Sequence, residues 1–205
     1  MKAKFDTSVI LSNKIAKVAI FFAISFFFYI FNFTFLAFVF FAISCFLVFI
    51  YRNPERYVYR NENEILSPVD GTVEAIDILE NETKIWIYKS LGDASVVRMP
   101  EDGKFEILSK RNGVNVNPFM PKAKILNEYV KLKFDNFEID LFGGLFGEKF
   151  EFIKFDDKLS KGDRIGSFVN GLCFLTLQKE FASSVKIGQK VKAGETPICA
   201  LKNAQ

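Results

Sequence analysis

None of the 205 residues of this chain is histidine, and this restricts the chemistry that its side chains could perform. Without an imidazole the chain cannot form a Ser-His-Asp relay, a Cys-His pair or a His-ligated zinc site. The three cysteines are Cys45, Cys173 and Cys199, and no two of them form a C-x-x-C pair. A cysteine-built metal site and a disulfide framework are therefore not expected.

Aspartate and serine are the remaining candidates that short motifs place at turns. Asp70 stands in L-S-P-V-D-G-T-V, which begins at Leu66, and Ser167 follows Gly166. Asp-Gly is a common turn signal, so this motif is not specific by itself. The net charge of only +3 lacks the marked basic excess of a nucleic-acid-binding protein.

A long apolar segment precedes these motifs. From Val18 to Tyr51 there is no Asp, Glu, Lys or Arg, and the segment is rich in phenylalanine. One membrane crossing needs about 20 apolar residues, so this length predicts a transmembrane hairpin with helices at about 15–31 and 34–51. The break is expected near Asn32 and Thr34. A single tilted or partly re-entrant helix is the alternative.

Basic residues flank the apolar segment on both sides: Lys14 and Lys17 before it, and Arg52, Arg56 and Arg60 after it. Lys and Arg favour the cytoplasmic side of a membrane, so both flanks are expected there. The predicted parts are a basic N-terminal tail (1–14), a transmembrane helical hairpin (15–51) and a β domain (52–205). The expected location is the inner (cytoplasmic) membrane, with the β domain on the cytoplasmic side.

Beyond Tyr51 the pattern changes to a period of two, which is typical of strands. The segments 131–134 and 137–141 alternate on either side of Asp135-Asn136 and predict a hairpin with a two-residue turn. Further alternating segments begin at Thr72, Lys84, Lys104 and Lys149, with Gly-containing turn signals between them. No stretch has a helical stripe, so the domain is predicted to be mostly antiparallel β.

Four segments, taken in order, resemble the short-form phosphatidylserine decarboxylases. They are Y-R-N-P-E-R from Tyr51, L-S-P-V-D-G-T-V from Leu66, G-x-x-x-G-x-F-x-x-G from Gly162, and the closing stretch from Gly188 to Leu201. Each motif is weak alone, but the ordered set covers nearly the whole chain. The last stretch also resembles the glycine corner of barrel-sandwich folds, so the C-terminal part is expected to be barrel-sandwich-like.

The resemblance implies a particular chemistry. In that family the serine of a Gly-Ser pair cleaves the chain and becomes a pyruvoyl group, which forms a Schiff base with phosphatidylserine and accepts electrons as CO₂ leaves. Carried onto this chain, the family aspartate is Asp70, the position of the family histidine is Ser95, and the cleavage pair is Gly171-Leu172. Leucine has no nucleophilic atom and cannot yield a pyruvoyl group, so no cofactor is expected.

Two neighbouring residues are alternative processing sites. Ser167 belongs to a Gly-Ser pair but stands five residues early, and Cys173 could undergo the same acyl shift, although a small buried strand residue is the competing interpretation. Arg98 and Lys149 are the basic candidates for binding an anionic headgroup. Glu148 places an acid where the family has a basic residue.

These observations predict a catalytically silent relative of phosphatidylserine decarboxylase that takes part in phospholipid (phosphatidylethanolamine) metabolism. Its expected partners are the phospholipid membrane and phosphatidylserine or an enzyme of its synthesis, and not nucleic acid. One alternative is an active phosphatidylserine decarboxylase with unconventional self-processing. Another is a scaffold protein that has kept only the fold.

Overall fold

The computed structural model describes residues 14–58, 61, 63–152 and 158–202, so most of the predicted N-terminal tail lies outside the described residues. The helices are α1 (Ile15–Ile30), α2 (Thr34–Ile50) and α3 (Ala123–Leu126). The strands are β1 (Glu64–Leu66), β2 (Gly71–Ile78), β3 (Glu82–Lys89), β4 (Val96–Arg98), β5 (Glu106–Arg111), β6 (Tyr129–Lys133), β7 (Phe137–Gly143), β8 (Glu151–Phe152), β9 (Arg164–Ser167), β10 (Gly171–Gln178), β11 (Phe181–Ser183), β12 (Lys190–Val191) and β13 (Pro197–Leu201).

Helices α1 and α2 form an antiparallel hairpin. The connection turns at Asn32, whose φ of 59° lies in the left-handed region that asparagine tolerates better than most residues. Ser25 donates a hydrogen bond to the carbonyl of Ala37 across the hairpin (2.8 Å), and the Phe28 and Phe40 rings stack 5.4 Å apart. The apolar segment therefore breaks where the sequence predicts it.

The prediction that this hairpin is transmembrane is wrong. In the described part of the chain, no helix combines the length and the apolar character needed to cross a membrane. The physical reason is the position of the break, because it leaves helices of 16 and 17 residues. At a rise of 1.5 Å per residue these are about 24 and 26 Å long, whereas the hydrocarbon core of a bilayer is about 30 Å thick.

The rest of the described chain is mostly antiparallel β, as predicted. Seven strands form one sheet in the order β12-β2-β3-β10-β7-β6-β5, and two three-stranded sheets have the orders β1-β13-β11 and β4-β9-β8. Strand β10 lies in the middle of the large sheet and pairs with β3 and β7 along its length. Its inward side chains join those of both neighbours in the main core, where Ile85, Ile139 and Leu175 are fully buried.

The predicted turn at Asp135-Asn136 is confirmed. The Phe134 amide donates to the carbonyl of Phe137 (3.0 Å), which closes the hairpin between β6 and β7. Three local predictions were inaccurate. The strands expected from Lys104 and Lys149 begin only at Glu106 and Glu151. The short helix α3 was not expected, because four residues are too few to show a helical period.

Gly71, the first residue of β2, is the position where the close approach of two strands requires glycine. An added Cβ would lie 2.5 Å from the Tyr88 carbonyl oxygen and 2.6 Å from Cγ2 of Ile87. We expect Gly71→Ala to lower the free energy of unfolding by about 3 kcal/mol, the upper end of the usual range for overpacking. Urea unfolding followed by the emission of Trp86, the only tryptophan, measures this.

Gly92→Ala is the matched control. The nearest atom to a Cβ there is the Ser90 hydroxyl at 3.6 Å, so the free energy of unfolding should change by less than about 0.5 kcal/mol. Equal effects of the two substitutions would contradict the steric explanation.

Candidate functional site

Two of the predicted site residues, Asp70 and Gly171, lie at the same end of the central strands of the large sheet. Asp70 immediately precedes β2, and Gly171 is the first residue of β10. Strand β3 lies between these two strands and ends at Lys89, which is paired with Gly171 in the ladder. The strand ends therefore gather an aspartate, a lysine and the predicted cleavage position.

Asp70 is a buried carboxylate whose two oxygens are both engaged. One oxygen accepts a hydrogen bond from the Arg56 guanidinium (2.7 Å), and the other accepts from the Ala193 amide (2.8 Å). Charge-assisted contacts of this kind fix a side chain firmly. These two contacts also link the segment before β2 to the segment after α2 and to the C-terminal part. Asp70 therefore stabilises the fold.

Lys89 is the site residue that sequence reasoning missed. Its side chain is completely buried, and its ammonium group donates a hydrogen bond to the carbonyl of Ala94. Burial lowers the pKa of Lys89 to about 8, while the negative charges of Asp70 and Asp93 act in the opposite direction. The alternation of β3 contains the signal, since Lys89 has the same parity as the inward-facing Ile85 and Ile87.

Ser95 does not face a catalytic partner. It is fully buried, and its hydroxyl donates to the carbonyl of Ile50 at the end of α2 (2.7 Å). Its own carbonyl accepts a hydrogen bond from the Phe168 amide (2.8 Å). Ser95 thus connects the helical hairpin to the segment that leads into β10.

The Gly171-Leu172 pair lies within a regular strand. Gly171 has a φ of 139°, and an added Cβ would lie 2.0 Å from the Phe142 carbonyl oxygen, so only glycine fits this position. Leu172 pairs with Tyr88 on one side and with Phe142 on the other. Its side chain is 6% exposed and lines an apolar cavity, where it offers no oxygen, nitrogen or sulfur atom for chemistry.

Glu148 faces the helical hairpin. Its carboxylate accepts hydrogen bonds from Lys17 and Tyr51 and forms an ion pair with Lys14 (3.1 Å). Burial alone would raise the pKa of Glu148, but the hydrogen bonds from Lys17, Tyr51 and Lys14 outweigh it, so the pKa lies below its usual value. Lys14 also binds Glu151 (2.8 Å). The acid at the position where the resemblance places a basic residue therefore anchors α1 and the end of α2.

Apolar contacts complete the junction between the hairpin and the β domain. Val18, Ile50 and Tyr51 are buried against Val169, with Leu91 packed beside them. Val169 is two residues before Gly171, and Leu91 is two residues after Lys89. The base of the hairpin therefore packs against the segments that flank the candidate site.

Comparison with known proteins identifies the family. The family model for phosphatidylserine decarboxylase matches residues 43–199. The chain is 33% identical to the phosphatidylserine decarboxylase proenzyme of Carboxydothermus hydrogenoformans, over 79% of this chain and 83% of the relative. It belongs to the phosphatidylserine decarboxylase family. The proenzyme of Pelagibacter ubique is 31% identical, over 80% and 83% of the two chains. A putative archaetidylserine decarboxylase proenzyme of Methanosarcina acetivorans is 30% identical, over 79% and 78%.

No solved structure matches the chain significantly. The family assignment confirms the resemblance that the four ordered motifs indicate.

The two basic residues assigned to headgroup binding have different surroundings. Arg98 is buried, and its guanidinium donates to the carbonyls of Gly162 (2.9 Å) and Pro54 (2.7 Å). Lys149 is exposed and lies beside a surface cavity that Glu128 also lines. The hydrogen bonds of Arg98 thus stabilise the fold, whereas Lys149 is accessible to solvent. A role in headgroup binding stays a prediction for both residues.

The alternative processing residues are both buried. Ser167 is 4% exposed and lies in β9, between Val96 and Glu151, in a different sheet from Gly171. Cys173 is completely buried in β10, and burial raises the pKa of its thiol far above the usual value. A neutral, enclosed thiol is a poor nucleophile. The surroundings of Cys173 fit a small core residue.

The Glu148 contact predicts a pH-dependent junction. Because the pKa of Glu148 is lowered in the folded state, its contribution to stability is present above the unfolded pKa of about 4.3 and is lost as the pH falls through the folded value. Glu148→Gln should remove that contribution at pH 7 and lower the free energy of unfolding by about 1–3 kcal/mol. Urea unfolding of the wild type at pH 7 and pH 4 measures the loss of stability with falling pH. Urea unfolding of Glu148→Gln at pH 7 measures the effect of the substitution.

Glu138→Gln is the control for loss of an ion pair. Glu138 binds Lys131 (2.6 Å) on a partly exposed surface, where such pairs contribute about 0–1 kcal/mol. If Glu148→Gln were no more destabilising than this control, Glu148 would not anchor the hairpin.

Proposed function

We propose that this chain is a non-catalytic member of the phosphatidylserine decarboxylase family that binds phospholipid at the membrane. The observation that carries the proposal is Leu172 at the position where the family forms its pyruvoyl group. The residues at this position do not fit that group, because a leucine side chain has no atom that could attack the preceding carbonyl.

The surroundings of the site support the same proposal. The base that would activate a nucleophile is absent, since the chain contains no histidine and the Ser95 hydroxyl donates a hydrogen bond to the carbonyl of Ile50. Asp70, the retained family residue, is held by Arg56 and by the Ala193 amide. Each of these polar groups forms hydrogen bonds within the protein. Such hydrogen bonds stabilise the fold and require no catalytic role.

Association with lipid is supported by the surface of the hairpin. Phe26, Phe35 and Phe38 are 65%, 77% and 69% exposed, and further apolar side chains of both helices are also exposed. Exposure of such an apolar surface to water has an unfavourable free energy, whereas contact with lipid removes the surface from water. We place the β domain at the cytoplasmic face of the inner membrane, beside the basic residues that flank the hairpin.

The proposed partners follow from the family. The relatives are named as decarboxylases of phosphatidylserine or archaetidylserine, so the ligand we propose is phosphatidylserine or a closely related phospholipid. An enzyme of phosphatidylserine synthesis is the second partner we propose, since a silent family member can still recruit a partner to the lipid.

The second candidate function is an active decarboxylase with unconventional self-processing. The names of the relatives favour it, because each is a decarboxylase proenzyme. Against it stand the burial of Ser167 and Cys173 and the raised pKa of the Cys173 thiol.

Intact mass distinguishes the two candidates. We expect the purified chain to remain a single species of 23.5 kDa, because neither Leu172 nor its neighbours can drive the acyl shift. A relative with an intact Gly-Ser pair, processed under the same conditions, is the control and should give two fragments. A fragment beginning at residue 167, 172 or 173 with a carbonyl-bearing N-terminus would contradict the proposal.

Flotation with lipid vesicles tests association with lipid. The chain should float with vesicles of phosphatidylcholine containing phosphatidylserine, and the double substitution Phe26→Ser, Phe38→Ser should reduce the floating fraction because both rings belong to the exposed apolar surface. Phe146→Ser is the matched control, since Phe146 is 74% exposed on the β domain. Equal flotation of all three proteins would exclude the hairpin as the lipid-contacting surface.

A further inference from the structure

One stretch of the β domain carries positive charge without any acid. Residues 107–127, called the basic segment below, contain no aspartate or glutamate and four basic residues: Lys110, Arg111, Lys122 and Lys124. None of the four forms an ion pair with a carboxylate in the described part of the chain. The whole chain has a net charge of only +3, so its positive excess is concentrated here.

The four cations differ in how far their charge is available. Lys110 and Arg111 donate hydrogen bonds to backbone carbonyls within the protein. Lys124 lines a groove together with Asp77 and Asp140, which offset part of its charge. Lys122 is exposed and does not line that groove. Lys122 is therefore the cation of the basic segment that is most available to a partner outside the protein.

An apolar turn lies directly before Lys122. The Met120 amide donates to the carbonyl of Asn117 (3.0 Å) and closes a β-turn with proline at its second position. The Phe119 amide donates to the side-chain oxygen of Asn117 (3.1 Å). Phe119 and Met120 are 58% and 55% exposed, although turns usually carry small or polar residues. The apolar turn (residues 117–120) thus presents two large apolar side chains to its surroundings.

The conformation of the apolar turn is fixed by its neighbours. At the base of the loop, the side chain of Asn127 accepts a hydrogen bond from the Val116 amide and donates one to the Val116 carbonyl (2.8 Å each). The Phe119 ring lies 5.1 Å from the ring of Tyr88 in β3. A surface that is ordered before binding loses less conformational entropy when a partner contacts it.

The basic segment leaves the large sheet at the end where the helical hairpin docks. One row of cross-strand pairs at this end joins five strands: Arg111, Tyr129, Phe142, Leu172 and Tyr88. The hairpin packs against Val169, shortly before Leu172, and against Leu91, shortly after Tyr88. The apolar turn and the exposed phenylalanines of the hairpin are therefore on the same end of the β domain.

The opposite end of the sheet has the reverse charge. The turn between β2 and β3 also exposes two neighbouring apolar residues, Ile78 (79%) and Leu79 (51%). There the nearby charged residues are Asp77, Glu80 and Glu82. An anionic membrane attracts basic segments and repels acidic ones. Charge therefore distinguishes two apolar turns that are similarly exposed.

We propose that the apolar turn and Lys122 form a second membrane-contacting surface, with Phe119 and Met120 among the headgroups of an anionic bilayer and Lys122 beside the lipid phosphates. The inference rests on the proposed association of the hairpin with lipid, which brings this end of the β domain to the bilayer. It adds that the β domain itself contacts lipid. Two separate contacts fix the orientation of the domain, so that the end of β10 with Gly171 faces the membrane.

Quenching by brominated phospholipids measures this contact directly. In a full-length Trp86→Phe protein, which has no other tryptophan, the emission of Phe119→Trp should shift to shorter wavelength and be quenched by vesicles of brominated phosphatidylcholine and phosphatidylserine. Leu79→Trp in the same protein is the matched control. It should stay unquenched, because its turn lies at the acidic end of the sheet.

Substitutions separate the charged and the apolar parts of the surface. Lys122→Gln should weaken binding to vesicles containing phosphatidylserine about fivefold and leave binding to pure phosphatidylcholine unchanged. Lys133→Gln, an exposed lysine at the opposite end of the sheet, should change neither. The double substitution Phe119→Ser, Met120→Ser should weaken binding to both kinds of vesicle about tenfold. Ile78→Ser, Leu79→Ser is its control and should bind like the wild type.

The outcomes distinguish this inference from the proposed function. If the wild type binds vesicles and Phe119→Trp is not quenched, the second contact is excluded while the hairpin remains a lipid-contacting surface. If the wild type does not bind vesicles, both proposals are wrong. Equal quenching of Leu79→Trp, or equal effects of Lys122→Gln and Lys133→Gln, would contradict the orientation. A dimer in solution that the double substitution at Phe119 and Met120 abolishes, without quenching, would assign the turn to a second copy of the chain.

Discussion

The pairing of β10 on both sides is the constraint on which the rest of the structure depends. This strand joins the two halves of the large sheet, and its first residue must be glycine because Phe142 leaves no room for a side chain. Placing Gly171 there fixes three other positions. Lys89 lies directly opposite, Leu172 is directed to the outer face, and Cys173 is directed into the core. The residue types at these three positions then determine the chemistry of the site. Leu172 on the outer face gives the site an apolar surface.

The polar residues around that strand hold segments together that are far apart in the chain. Asp70 joins Arg56 to Ala193, and Ser95 joins the end of α2 to the segment after β9. In an active site, such groups would need to remain available to a substrate, often at a cost in stability. Here their hydrogen-bonding capacity is used within the protein. The proposed absence of catalysis therefore agrees with this structural use of Asp70 and Ser95.

Sequence patterns predicted those features that depend on local periodicity or on ordered motifs. The β hairpin at Asp135-Asn136, the break near Asn32 and the family all follow from neighbouring residues. The transmembrane assignment failed because composition gives the length of an apolar segment but not the helix lengths left after the turn. The contacts of Glu148 could not be predicted for a different reason. Its partners Lys14 and Lys17 are more than 130 residues away, and only the docking of the hairpin brings them together.

Lys89 shows how the site and the hairpin act as one unit. Burying an ammonium group is costly unless polar groups surround it, and the carbonyl of Ala94 and the charges of Asp70 and Asp93 partly offset that cost. Ala94 precedes Ser95, whose hydroxyl is bound to α2, so the loop that supplies the carbonyl is itself held by the hairpin. A hairpin that moved away from the β domain would loosen this loop and weaken the compensation of the buried charge. The helical hairpin and the candidate site are thus linked through residues 89–95, although no side chain of the exposed helical surface belongs to the site.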